Sequence, residues 1–194
     1  MPHSNEYEAT MTETIRVLGI SGSLRRDSWN TLLLRAAQKL APAGMTIEIA
    51  SIREMPFYDG DVEAAGLPAP VVAFREQIRA ADAILIASPE YNASVSGVLK
   101  NAIDWASRPP QQPLDGKPIA VFGTSPGATG TIRGQAHLRQ ILANVNGLVL
   151  IQPVVAVGNA PQRLEADATI TDEATRKFVE TMLAKLADWT RRLK

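Results

Sequence analysis

Residues 21–31 read Ser21-Gly22-Ser23-Leu24-Arg25-Arg26-Asp27-Ser28-Trp29-Asn30-Thr31. A phosphate dianion needs several donors and a positive field. This run supplies hydroxyls on Ser21, Ser23, Ser28 and Thr31, the amide of Asn30, two guanidinium groups and, where a helix begins, its free N–H groups. Gly22 lets the backbone turn closely around a ligand. The run is neither a Walker A loop nor a G-x-G-x-x-G loop, and no lysine follows its glycine, which disfavours NTP hydrolysis. The same residues also suit a plain helix cap, so composition alone leaves both readings open.

Two further clusters carry uncommon sequence. Pro89-Glu90-Tyr91-Asn92 puts an aromatic beside an amide, which suits a planar heterocycle: Tyr91 over a ring, Asn92 against a ring polar group. A tight turn with a half-buried tyrosine is the alternative. Glu90 has no partner nearby in sequence that would make it a general base. Thr124-Ser125-Pro126-Gly127-Ala128-Thr129-Gly130 is small and glycine-rich. It suits either backbone N–H groups aimed at ring carbonyls or an ordinary flexible loop.

The elements around these clusters give them a common place. Apolar runs at 15–21, 45–50, 83–88, 119–123 and 148–157 read as five strands. Between them lie helical stripes: Leu32, Leu33, Ala36, Ala37 and Leu40; Val71, Phe74 and Ile78; Val95, Leu99, Ala102, Ile103 and Ala106; and Gly134, Leu138, Ile141, Leu142 and Val145. A last helix is expected from an N-cap at Thr171, burying Ala174, Phe178, Met182, Leu186 and Trp189. Pro153 falls inside the fifth run and implies an edge or interrupted strand. Residues 59–70 and 108–117 read as long surface loops. Alternating strands and helices imply a parallel sheet covered on both faces, with ligands outside the strands' carboxyl ends. All three clusters fall there.

Composition removes other classes. The 194 residues suit one domain, expected over 14–194 after a loose tail at 1–13. Twenty basic side chains balance twenty acidic ones, so no basic surface for nucleic acid or membranes is visible. With Cys 0 and two histidines, thiol catalysis and ordinary zinc clusters are excluded. The polar, acidic start lacks the pattern of a signal peptide, and a cytoplasmic protein is expected.

At this point the chain resembles the NAD(P)H-dependent FMN reductases of the flavodoxin-like superfamily, in particular bacterial quinone and chromate reductases. The resemblance rests on Gly19-Ile20-Ser21-Gly22-Ser23-Leu24-Arg25 with Ser28 and Asn30, on Pro89-Glu90-Tyr91-Asn92, and on Ser96-Gly97-Val98-Leu99-Lys100-Asn101-Ala102-Ile103-Asp104-Trp105. Loop 124–130 and Leu138-Arg139-Gln140 complete it.

The resemblance implies a three-layer flavodoxin-like α/β fold with a five-stranded parallel sheet in order 2-1-3-4-5. It implies FMN, held non-covalently, with NADPH or NADH as donor. Its site would comprise Ser21, Ser23, Leu24, Arg25, Ser28, Asn30 and Thr31, then Pro89, Glu90 (through its backbone), Tyr91 and Asn92, then Thr124, Ser125 and Gly127. Ser23, Arg25, Ser28 and Asn30 would hold the phosphate, and Ser125 and Gly127 would meet the pyrimidine edge. Hydride chemistry resides on the flavin, so no catalytic side chain and no metal is implied. The acceptors implied are quinones, azo compounds, free flavin or oxidised metal ions. Relatives form homodimers or homotetramers, with the segment from Lys100 to Trp105 near the contact. Lys100 and Asp104 stand at pairing distance on that helix. Ala136 stands where some relatives carry a tyrosine packed between subunits, which counts against a tetramer built on that contact. A flavodoxin-like electron carrier and a flavin-binding sensor are the competing classes; zero net charge counts against the carrier.

Overall fold

The computed structural model describes residues 13–194. The tail expected at 1–13 lies outside the described residues except for Glu13. Elements run β1 (Ile15–Ser21), α1 (Trp29–Lys39), β2 (Met45–Ala50), α2 (Gly60–Ala65), α3 (Ala69–Ala80), β3 (Ala83–Ala87), β4 (Glu90–Tyr91), β5 (Ser94–Val95) and α4 (Gly97–Ala106). They continue with β6 (Pro118–Thr124), α5 (Ile132–Asn144), β7 (Leu148–Val149), β8 (Val155–Val157), α6 (Ala160–Arg163) and α7 (Glu173–Leu193).

The strands pair in parallel in the order β2-β1-β3-β6-β7, with β8 also on β6. That is the expected flavodoxin order, with its fifth place shared by two short strands. Strand residues alternate between two cores, as a pleated sheet requires. Val17, Leu85 and Phe122 face α1 and α7, whereas Leu18, Ile86 and Val121 face α3, α4 and α5. Each such fully buried side chain stabilises the fold by roughly 1.5–3 kcal/mol.

One sequence expectation, the interruption at Pro153, is met, and three need correction. The fifth strand is interrupted: three steps along β6 (Ile119 to Phe122) face six along the edge (Val149 to Val155), so the chain around Pro153 loops out. Residues 59–70 are not all loop, because Asp59 caps α2 through the Asp61 N–H. The last helix is capped by Asp172, not Thr171; its carboxylate accepts from the Thr175 N–H at 2.8 Å. Its inner face is Thr175, Val179, Met182, Leu183 and Leu186, while Phe178 is 56% exposed. A ladder of i+4 steps drifts by about 40° per step around a 3.6-residue helix, so the expected stripe leaves the true face at Ala174 and Phe178 while Met182 and Leu186 are buried as expected.

Candidate functional site

β1, β3 and β6 end side by side, and the three sequence clusters leave from their carboxyl ends. Loop one, residues 22–28, is pressed against loop two, residues 88–96. The Gly22 N–H donates to the Ala87 carbonyl (2.8 Å), and Ser96 Oγ donates to the Gly22 carbonyl (2.6 Å). A Cβ on Gly22 would lie 2.8 Å from Pro89 Cδ and 3.0 Å from Leu99 Cδ2, so only glycine fits. Ser28 caps α1, its hydroxyl accepting from the Thr31 N–H (3.3 Å). Ser21 Oγ and Thr31 Oγ1 bond each other at 2.8 Å. Leu24 packs on the second core.

These internal bonds define what remains for a ligand. The first N–H groups of a helix lack partners in that helix, and here they belong to Trp29 and Asn30 at the positive end of α1. Ser23 stands partly exposed, its hydroxyl accepting from the Arg25 N–H (3.3 Å). Arg25 is exposed, and its guanidinium has no ion-pair partner among the described residues.

Asn30 lines the cleft, but its side chain is engaged within the protein. Its side chain is buried, and its Nδ2 donates to the Thr124 carbonyl (2.9 Å) while its Oδ1 accepts from the Thr124 N–H (3.0 Å). The amide therefore fastens loop one to loop three, residues 125–131. The side-chain amide is thus already paired, and the backbone N–H at the start of α1 is the Asn30 donor left without a partner in the helix. Thr124 is likewise internal, its hydroxyl donating to the Val157 carbonyl (2.8 Å).

Loop two is a miniature hairpin, β4 against β5, paired Glu90 to Val95 and Tyr91 to Ser94. Its two turn residues, Asn92 and Ala93, have φ of 50° and 60°. Both central residues of a type I′ turn adopt positive φ, for which asparagine is among the best residues. The hairpin leaves Tyr91 48% exposed.

Glu90 turns its carboxylate onto the first turn of α5. The side chain is only 6% exposed. Its Oε2 accepts from the N–H groups of Arg133 (3.0 Å) and Gly134 (2.9 Å), and its Oε1 pairs with the Arg133 guanidinium (2.6 Å). Burial pushes this carboxyl up, but the Gly134 N–H and the Arg133 side chain outweigh it and hold it below the ordinary glutamate range. Loop three is tied down from the other side. The Ser125 N–H donates to the Val157 carbonyl (3.1 Å) and Ser125 Oγ to the Gly130 carbonyl (2.9 Å).

The three loops close on one cleft. Loop one and α1 contribute Ser23, Arg25, Ser28 and Asn30; loop two contributes Pro89, Glu90 and Tyr91; Thr124 and Ser125 come from the third side. Ser21, Leu24, Thr31, Asn92 and Gly127 fall outside this lining. Trp29 and Pro126, which sequence reasoning did not nominate, line it as well. An aromatic at the first position of α1, directly after the capping serine, was the available signal for Trp29. The enclosed volume is about 80 Å³. That is far below the roughly 300–1,000 Å³ of a pocket that engulfs its ligand, so a larger molecule would lie across the rim.

A larger groove of about 940 Å³ runs between α4 and α5, past Lys100, Asp104 and His137. The expected Lys100–Asp104 pair is formed there, at 2.6 Å. Trp105 is fully buried, its indole N–H donating to the Pro56 carbonyl (2.8 Å), and belongs to the core.

A family model for NADPH-dependent FMN reductases matches residues 15–162. An NAD(P)H-dependent FMN reductase of Pseudomonas aeruginosa is 50% identical over 184 residues, covering 95% of this chain and 100% of that one. A quinone reductase of Escherichia coli is 41% identical over 187 residues, covering 95% and 100%. Among solved structures, the flavoenzyme NAD(P)H:(acceptor) oxidoreductase FerB of Paracoccus denitrificans superposes with a TM-score of 0.86. It is 37% identical, with 92% of this chain and 98% of that chain covered.

Proposed function

The chain belongs to the NADPH-dependent FMN reductase family, and from that premise we propose that it passes electrons from NAD(P)H, by way of bound FMN, to quinones. The observation that carries this reading is the convergence of three strand-end loops on one cleft. The cleft offers the first N–H groups of α1, the Arg25 guanidinium, which has no ion-pair partner among the described residues, and the exposed Tyr91 ring. This donor set fits a phosphate, and the flat wall fits a tricyclic ring.

When bound, FMN accepts hydride from NAD(P)H and delivers the electrons to the acceptor. The protein positions and shields. Arg25, Ser23 and the N–H groups of Trp29 and Asn30 hold the phosphate. Pro89, the Glu90 backbone and Tyr91 line the ring, and Ser125 with the exposed Gly127 meets its polar edge. Glu90 moves no proton there, because its carboxylate is ionised, buried and turned into α5. The shallow cleft leaves a face open for NAD(P)H and then for the acceptor, which implies ping-pong turnover. We read the setting as cytoplasmic, with NADPH or NADH as donor. Among the described residues no helix is long and apolar enough to cross a membrane.

We also read the protein as a homodimer. The groove between α4 and α5 supports this, because it leaves Lys100 and Asp104 beside a large open surface. The small, exposed Ala136 offers no anchor for a tetramer built on that one contact.

The purified protein should show flavin absorbance or bind added FMN. Anaerobic NADPH should bleach it, and a benzoquinone should restore the colour over many cycles. Colour that NADPH never bleaches would indicate a carrier or sensor, and refusal of FMN would remove the reading altogether. Light scattering should return twice the mass of one chain.

A further inference from the structure

We propose that the Glu90 carboxylate is the positioning group that holds the two ring-binding walls together, by capping α5 from within the hairpin. This inference rests on the FMN reading above. The hairpin has only two residue pairs, too few to be stable by itself. Something outside it must fix where Tyr91 stands. On the other side, α5 begins directly after loop three, and its N-cap residue Thr131 makes no side-chain capping bond. Glu90 supplies that missing cap from 43 residues away, accepting the N–H groups of both Arg133 and Gly134. One carboxylate thereby satisfies the helix start and anchors the hairpin.

The contact is built for this purpose. A Cβ on Gly134 would sit 3.1 Å from the Ser94 carbonyl and 3.3 Å from Glu90 Cβ, so a glycine lets the helix approach the hairpin. His137 Nδ1 lies 3.0 Å from Ser94 Oγ, one turn further along α5, and adds a second tie. An exposed ion pair contributes little to such an arrangement. Here the carboxylate is buried and bound by main-chain donors, and a charge at a helix N-terminus is favourably placed. Loop three is fixed at its start by Asn30 and at its exit by Glu90. Tyr91 and Ser125 therefore belong to one rigid frame.

The test compares wild type with Glu90→Ala, Glu90→Gln and Arg133→Ala by FMN titration, visible-region circular dichroism and flavin fluorescence at saturation. Far-UV circular dichroism of each apoprotein checks folding. Glu90→Ala is expected to raise the FMN Kd tenfold or more and to alter the visible dichroism of the saturated protein. Glu90→Gln, which keeps the volume but turns an N–H toward the guanidinium, should fall between it and wild type. If Glu90→Ala does not fold, Arg133→Ala decides: it retains both main-chain caps, loses the guanidinium, and should raise Kd about threefold with a smaller spectral change. Wild-type Kd and spectra in the folded variants would overturn the proposal, even if thermal stability fell. Wild type that binds no FMN would overturn the site reading itself, a distinct result from variants that bind equally well.

Discussion

Asn30 and Thr124, 94 positions apart, exchange two hydrogen bonds, the Asn30 amide pairing with both the N–H and the carbonyl of Thr124. Both residues are buried, so the main-chain groups of Thr124 have no access to water in compensation. Asn30→Ala leaves that donor and acceptor unpaired, a loss of roughly 1–3 kcal/mol for each buried group stranded. Urea unfolding should show a lower midpoint, and FMN affinity should fall because loop three is released. Unchanged stability would mean that the pairing is dispensable.

Arg25 is the opposite case. It makes no ion pair among the described residues, so Arg25→Ala should leave apoprotein stability within about 0.5 kcal/mol of wild type. FMN affinity should fall by about 1.5–3 kcal/mol, the range for a hydrogen bond to a charged group. A titration with riboflavin, which lacks the phosphate, should show no difference between the two proteins. Equal loss for both ligands would place the phosphate elsewhere.

Gly22→Ala tests the contact between loops one and two. The new methyl would sit 2.8 Å from Pro89 Cδ, on a rigid ring that has no rotamer with which to yield. Overpacking of this kind costs about 1–3 kcal/mol. Because the displaced residue begins the hairpin, FMN binding should weaken along with the melting temperature. A crystal structure of the variant with loop two unmoved would refute this account.

At the opposite end of the sheet, Asp82 accepts from the Arg16 N–H (2.7 Å) and pairs with Lys194 (3.0 Å). Burial pushes its carboxyl up, yet the Arg16 N–H and Lys194 together hold it below its ordinary value of 3.8. The unfolded chain therefore takes up this proton first as pH falls. The stabilisation is complete above the ordinary value and disappears as pH drops through the folded one. Asp82→Asn should be less stable than wild type at neutral pH, and the gap should narrow steadily below pH 3.8. Denaturant titrations across that range would measure it; a gap independent of pH would show that charge plays no part.

The strands and the layering of the helices on both faces were legible because the apolar runs are short and separated by helical stripes, whereas the strand order came only with the family resemblance. The four residues Val71, Phe74, Ile78 and Leu99, all buried as expected, show how far periodicity alone reaches. The sites were legible as loops but not as geometry. Asn30 and Glu90 were both visible as polar residues near a ligand, yet each has its partners dozens of positions away, at Thr124 and at Arg133 with Gly134. Local sequence cannot display a bond that forms only after crossover connections bring two strand ends together. Phe178 failed for a different reason: a helix bearing apolar residues on adjoining rows leaves its rotation to be set by the surface it meets.

The break in the fifth strand bears on how the molecule avoids its own kind. An open sheet ends in unpaired main-chain groups that invite a strand from another molecule. On this side the invitation is two residues at β7 and three at β8, with residues 151–154 looped out between them. An incoming strand would find no continuous ladder to extend, although Ile151 is 77% exposed and would otherwise be a ready apolar grip. The looped-out segment thus acts as a safeguard against fibrous association, and restoring an unbroken edge would make the protein more prone to aggregate.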